Sequence, residues 1–169
     1  MNLSREILKS EAEIADRVRA LGREITDHYR GQEISFLGVL KGSFVFLADL
    51  ARQIKIPAQI GFLEIITSRK SEFMTEVVFS STFPVEGTNL LVVEDILDTG
   101  VTLAYLMQQL QLYQPKSLRV CTLLDKPQRR RVDLQPDHVG FLAPDRHVVG
   151  YGLDYQGKYR NLPYLGLVE

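Results

Sequence analysis

Three acids, two hydroxyls and a glycine crowd the stretch EDILDTGVT: Glu94 and Asp95, then Asp98, Thr99, Gly100 and Thr102, entered through the apolar run Leu90 to Val93. Carboxylates packed together raise one another's pKa and repel, so a fold keeps such a cluster only where water, cations or a ligand neutralise it. The hydroxyls and glycine open a helical pattern. Free N–H groups at a helix start, hydroxyl donors and the helix dipole together make a phosphate cradle. A molecule that wants both the acids and the cradle is a phosphorylated sugar whose hydroxyls and Mg²⁺ meet carboxylates. Singly the residues are ordinary: Thr99 or Thr102 as a plain N-cap is about as common as a phosphate role, and one acid at a strand end would simply be solvated.

The elements around this stretch follow from hydrophobic spacing. Ser10 and Glu13 make a capping box, and Ile14, Val18, Leu21 and Ile25 recur at helical spacing behind it. A short apolar run, residues 34–40, halts at Lys41, Gly42 and Ser43 and is followed by a helical pattern over 44–52. Strand patterns follow at 58–68, at VVFSS as an antiparallel partner, and at NLLVV, then a helix over 101–113 stopped by Pro115. Residues 117–124 form another apolar strand, and HVGFLA and HVVGYGLDY finish as short strands. Strands apolar on both faces that alternate with helices indicate an α/β protein with a mostly parallel sheet, and residues 1–169 read as one domain. In such sheets ligands bind beyond the carboxyl ends of the strands, which singles out Lys41-Gly42, residues 94–100 and Asp125-Lys126.

Composition narrows the classes. Hydrophobic residues make up 45% and charged residues 24%, with a net charge of -1, so nothing draws the whole chain to nucleic acid or an anionic membrane. No apolar run approaches the roughly 18 residues of a membrane span. The single cysteine, Cys121, lies in LRVCTLL and reads as a buried structural thiol; a soluble, cytoplasmic protein is expected. Neither G-x-x-x-x-G-K-[ST] nor G-x-G-x-x-G occurs, which removes the main support for ATPase and dinucleotide readings.

The stretch VVEDILDTGVT resembles the phosphoribosyl-pyrophosphate motif of type I phosphoribosyltransferases. GVLKGSFVFLADL, VCTLLDKP and PDHVGFLAPDRHVVGYGLDYQGKYRNLPYLG are similar, in order, to sequences of the hypoxanthine (hypoxanthine-guanine) phosphoribosyltransferases. The resemblance implies that group's fold, a central sheet with a small hood from the terminal segments and a flexible lid loop. It implies transfer of ribose 5-phosphate from phosphoribosyl pyrophosphate to N9 of a 6-oxopurine, with Mg²⁺, in a homo-dimer or tetramer. Glu94 and Asp95 would then hold the ribose hydroxyls, directly or through Mg²⁺, and Asp98 would accept a proton beside purine N7. Thr99, Gly100 and Thr102 would grip the 5-phosphate. Lys41 and Gly42, across a Leu-Lys peptide that is cis in some members, would meet pyrophosphate with Arg160. Lys126 would donate to purine O6, His147 would stack on the base with Val148 beside it, and Asp154 would bind a second Mg²⁺.

At two places the chain departs from the pattern. His147 replaces the usual Phe or Tyr, so protonation would add a charge beside the base and make purine affinity vary with pH. Arg69 and Lys70 stand in the lid where Tyr and Gly are expected. The run Arg129 to Arg131 reads as a solvated or partner-facing face with no catalytic role. It keeps open a regulator on the same fold that binds RNA or DNA, and the paired acids with a strand-end lysine keep open a phosphoacceptor domain.

Overall fold

Ser10 starts the first helix as its spacing predicts. Its hydroxyl accepts from the Glu13 N–H at 3.3 Å and its own N–H donates to Glu13 Oε2 at 2.9 Å. The helix α1 (Glu11–His28) then buries Ile14, Val18, Leu21 and Ile25, and Gly22 lets it approach the end of α2 (Phe44–Gln53), where a Cβ would stand 2.3 Å from that of Gln53. The computed structural model describes residues 3–67, 75–79 and 83–168.

Two sheets are present among these residues. The larger joins β2 (Ile34–Leu40), β3 (Ala58–Thr67), β4 (Thr75–Phe79), β5 (Asn89–Leu97), β6 (Ser117–Asp125) and β7 (His138–Leu142) in the order β4-β3-β2-β5-β6-β7. All neighbours are parallel except β3 and β4. Both faces are covered, which explains strands apolar without alternation. Phe36, Leu91, Val93 and Leu123 face α1 and α2, while Leu37, Val39, Leu90 and Val92 meet Leu103, Leu106 and Leu110 of α3 (Val101–Gln111).

The smaller sheet is antiparallel, β1 (Leu3–Lys9) beside β9 (Leu165–Val168) beside β8 (His147–Val149), and is the hood expected from the terminal segments. Val148, Leu165 and Leu167 sink into the same core cluster as Ile14 of α1.

The chain order reverses between β2 and β5. From β2 the sheet grows outward through β3, and from β5 it grows the other way through β6, so a crevice opens between their carboxyl ends. Register makes it concrete. Pairing of β2 with β5 ends at Gly38 opposite Val93, while β5 stays paired to β6 as far as Leu97 opposite Asp125. Glu94 and Asp95 are therefore inside β5, not beyond its end at Val93 as the apolar run suggested, and Asp98 follows the strand. β6 holds the strand in line by pairing Glu94 with Thr122 and Ile96 with Leu124, and Leu97 is buried. Arg69 and Lys70, between β3 and β4, lie outside the described residues. Among those described, no helix is long and apolar enough to cross a membrane.

Candidate functional site

The crevice is shaped first by two glycines. After β2 the Leu40–Lys41 peptide is cis, and the turn is tied back by Ser43, whose buried hydroxyl donates to the Val39 carbonyl at 2.6 Å. A Cβ on Gly42 would lie 1.5 Å from Asp95 Oδ2, so only glycine lets the turn rest against that carboxylate. From the other side comes Gly152, at φ +102° in a region that favours glycine, where a Cβ would stand 2.1 Å from the Gly42 carbonyl. Lys41 turns away along β3, its ammonium 3.7 Å from Glu64 Oε1.

Glu94 and Asp95 occupy the stretch of β5 that β2 has left. Burial, then the neighbouring charge of Asp95, push the Glu94 carboxyl well above the usual range. Burial also raises Asp95, against hydrogen bonds from Glu94 and the Ile96 N–H and the charge of Arg160. Both therefore ionise less readily than free carboxylates, and among the described residues neither forms an ion pair with a cationic side chain. A cleft of about 280 Å³ joins Glu94 to Asp98, Thr99, Gly100 and Thr102. The N-cap of α3 is Gly100, at φ +79°, and no side chain caps it, so neither threonine is the plain cap considered above. The first N–H groups of this 11-residue helix remain available to an anion.

The end of β6 supplies the walls. Lys126 is only 6% exposed; its N–H donates to the Leu97 carbonyl at 3.0 Å and its ammonium to the Arg146 carbonyl at 2.8 Å. A 3-10 turn, Pro127–Arg129, then brings the basic run back over β5. Here the expectation of a solvated run fails at Arg130, while Arg129 and Arg131 are exposed as expected. Arg130 pairs with Asp125, both side chains 7% exposed, and donates to the Asp98 carbonyl at 2.6 Å and the Leu134 carbonyl at 3.0 Å. Its Cδ and Val132 press on Gly100, each 2.9 Å from where a Cβ would be. Arg129 Nε bonds Asp98 Oδ1 at 2.6 Å, and the Arg131 N–H donates to the Thr99 carbonyl at 2.9 Å. Sequence spacing offered one missed clue, that Asp125 is five residues from Arg130; the rest of the partnership spans loops.

The C-terminal loop closes the far side. His147 is exposed at the start of β8, its Nε2 3.2 Å from the Asp154 carbonyl and its ring edge-on to Tyr155 at 5.1 Å. Val148, expected beside a ligand, buries its side chain in the core, which leaves its main chain as the part able to face one. Asp154 accepts from Arg160 at 2.6 Å and from the Gly157 N–H at 2.7 Å, so it is both a turn residue and half of an ion pair. Arg160 also donates to the Gly152 carbonyl at 2.7 Å, tying this loop to the turn at Gly42. Asp154 does not join Glu94 and Asp95 in one cluster; among the described residues no group of three metal-binding side chains occurs.

A larger cavity, about 450 Å³, lies at the opposite, amino end of the strands. Polar side chains that line it bond one another: Asn89 donates to Gln32 at 3.3 Å and Lys116 to Gln32 at 3.1 Å. The crevice at the carboxyl ends is where charge is left unmatched. The buried Cys121 thiol, raised further by burial, lies in the core and takes no part.

Comparison with known proteins identifies the family. The Phosphoribosyl transferase domain family matches residues 4–156. The hypoxanthine phosphoribosyltransferase of Salmonella typhimurium is 44% identical over 168 residues, 96% of this chain and 94% of that one. The hypoxanthine-guanine phosphoribosyltransferase of Bacillus subtilis is 41% identical over 167 residues, 97% and 93% of the two chains. A crystal structure of a hypoxanthine-guanine phosphoribosyltransferase from Bacillus anthracis superposes with a TM-score of 0.92 at 42% identity, covering 99% of this chain and all of the other.

Proposed function

This chain belongs to the type I phosphoribosyltransferases, and on that premise we propose that it is a purine-salvage enzyme transferring the 5-phosphoribosyl group from phosphoribosyl pyrophosphate to N9 of hypoxanthine or guanine. The products are IMP or GMP and pyrophosphate. The observation that carries the reading is the crevice beyond β2, where Glu94, Asp98 and an uncapped helix start share one cleft and Asp95, the next residue to Glu94, rests against the turn at Gly42.

The transferred ribose passes through an oxocarbenium-like state, with positive charge at C1 and negative charge on the leaving pyrophosphate. The α3 start and Thr99 to Thr102 bind the 5-phosphate and fix the sugar's position. Glu94 and Asp95 take the ribose hydroxyls. Asp98 accepts the proton at N7, and Lys126, anchored on the Arg146 carbonyl, donates to O6. A 6-amino purine offers that ammonium no acceptor, which selects the 6-oxo bases. His147 stacks on the base, and Arg160 and the turn at Lys41-Gly42 meet pyrophosphate. Lys41 must exchange Glu64 for the ligand to do so.

The donor set fits Mg²⁺: hard oxygens, a pair that gains by ionising beside a cation, and a metal satisfied by one or two carboxylates plus substrate phosphates. Glu94 and Asp95 would hold one ion and Asp154 a second, and their charge offsets that of the departing pyrophosphate. We assign the enzyme to the cytoplasm and to a homo-oligomer, a dimer or tetramer. A nucleic-acid-binding regulator is disfavoured, since Arg129 and Arg130 are engaged with Asp98, Asp145 and Asp125.

The decisive experiment is a spectrophotometric assay with phosphoribosyl pyrophosphate, Mg²⁺ and hypoxanthine, guanine, xanthine or adenine in turn. Nucleotide is expected from hypoxanthine or guanine and not from adenine; no product with any base refutes the proposal.

A further inference from the structure

One guanidinium ties together three separate loops at the mouth of the crevice. Arg129 bonds Asp98 Oδ1 through Nε at 2.6 Å and Asp145 Oδ1 through Nη1 at 2.8 Å. Asp98 follows β5, Arg129 follows β6, and Asp145 lies between β7 and β8, two residues before His147. The next residue, Arg130, grips the main chain of the same aspartate, its Nη1 2.6 Å from the Asp98 carbonyl. Asp98 is thus held from two sides, its backbone by a buried arginine and its carboxylate by an exposed one.

That division matters. Arg129 is 40% exposed and its partners 39% and 59%, and surface ion pairs of this kind add little to stability. A planar fork with nitrogens on two carboxylates is, however, well suited to fixing their relative orientation. Engaging Oδ1 leaves Oδ2 to meet the ligand.

We propose that Arg129 is a positioning residue for the base site: it orients the Asp98 carboxylate against the loop that carries His147, so that proton acceptor and stacking ring are set by one side chain. The inference rests on the proposed transferase reading, in which Asp98 meets purine N7.

The test measures kcat and both KM values, with melting temperature, for the wild type, Arg129→Ala, Asp145→Asn and the double variant. Arg129→Ala is expected to lower kcat/KM for hypoxanthine by about 10-fold or more, leave KM for phosphoribosyl pyrophosphate within about 3-fold, and keep the melting temperature within a few degrees. Asp145→Asn, which removes only one of the two carboxylates that Arg129 joins, should show a smaller loss in the same direction, and the double variant should be no worse than Arg129→Ala alone because the two share one interaction. Wild-type kinetics in Arg129→Ala, losses that add in the double variant, or a uniform decline in all constants with the melting temperature would each overturn the proposal. A wild type inactive with every base would instead refute the transferase reading on which it rests.

Discussion

Replacing Gly42 with alanine separates function from stability at the crevice. The new Cβ would sit 1.5 Å from Asp95 Oδ2, and ordinary contact begins at 3.4 Å, so the carboxylate must retreat by about 1.9 Å. Misplacement of a reacting or positioning group by about 1 Å can cost on the order of 10²-fold in rate. Gly42→Ala should therefore lower kcat/KM by about 10²-fold or more, with KM for phosphoribosyl pyrophosphate raised because Asp95 would hold the ribose and metal. The fold should tolerate the change, since the obstacle is the end of a side chain. Turning it away forfeits the bond from the Ile96 N–H, 2.9 Å long, worth about 1 kcal/mol, or a melting temperature lower by roughly 2–4 °C in a chain of this size. Gly152→Ala is the contrast: its Cβ would strike the Gly42 backbone carbonyl at 2.1 Å from a φ of +102°, so stability and activity should fall together. Steady-state kinetics beside thermal melts decide the matter. A folded Gly42→Ala enzyme within about 3-fold of wild-type kcat/KM would refute the reasoning.

Other substitutions probe the remaining roles. Glu94 binds its proton more tightly folded than unfolded, so the ligand-free protein loses stability as pH rises from the ordinary carboxylate range through the raised value. Glu94→Gln should melt higher than wild type at neutral pH, with the gap closing in acid, while losing activity; an unchanged melting temperature at neutral pH would contradict the burial of charge there. Asp98→Asn should lower kcat by about 10²- to 10⁴-fold, the usual span for general acid–base groups, with calorimetric binding of phosphoribosyl pyrophosphate unchanged; equal turnover would remove Asp98 from the chemistry. His147→Phe should tighten purine binding and flatten its dependence on pH between roughly 5 and 8, where an ordinary imidazole changes charge; an affinity and pH profile like those of wild type would deny His147 a place on the base.

Much of this molecule is legible in the chain because its signals are local. The capping box at Ser10, the apolar runs of β2, β5 and β6 and the periodicity of α3 all declare themselves within a dozen residues. The boundary of β5 was less visible, since Glu94 and Asp95 look like a strand's end and are kept inside it by β6. β1 and β9 pair across nearly the whole length of the chain, Leu3 opposite Val168, and their hood was implied by resemblance and not by pattern. The arginines were hardest to read. Arg130 is sunk against Asp125, and no run of three cations announces that its middle member is buried.

Those arginines also account for the acids that first drew notice. Among the described residues, the cations at the crevice are engaged elsewhere: Lys41 with Glu64, Arg160 with Asp154, Arg130 with Asp125, Arg129 with Asp98 and Asp145, and Lys126 with the Arg146 carbonyl. Glu94 and Asp95 are left with each other, among the described residues, and burial raises the pKa of both. A fold that merely tolerated acids here would have solvated them or turned one of these side chains toward them. Keeping the neighbouring cations occupied instead leaves the pair open to charge that arrives from outside, and on the proposed reading a divalent cation carried in with a pyrophosphate would supply it. The same matching confines the remaining contacts: Arg129 and Arg130 hold Asp98 and the turn at Gly100, so on the proposed reading the base and 5-phosphate sites would stand assembled before the sugar arrives.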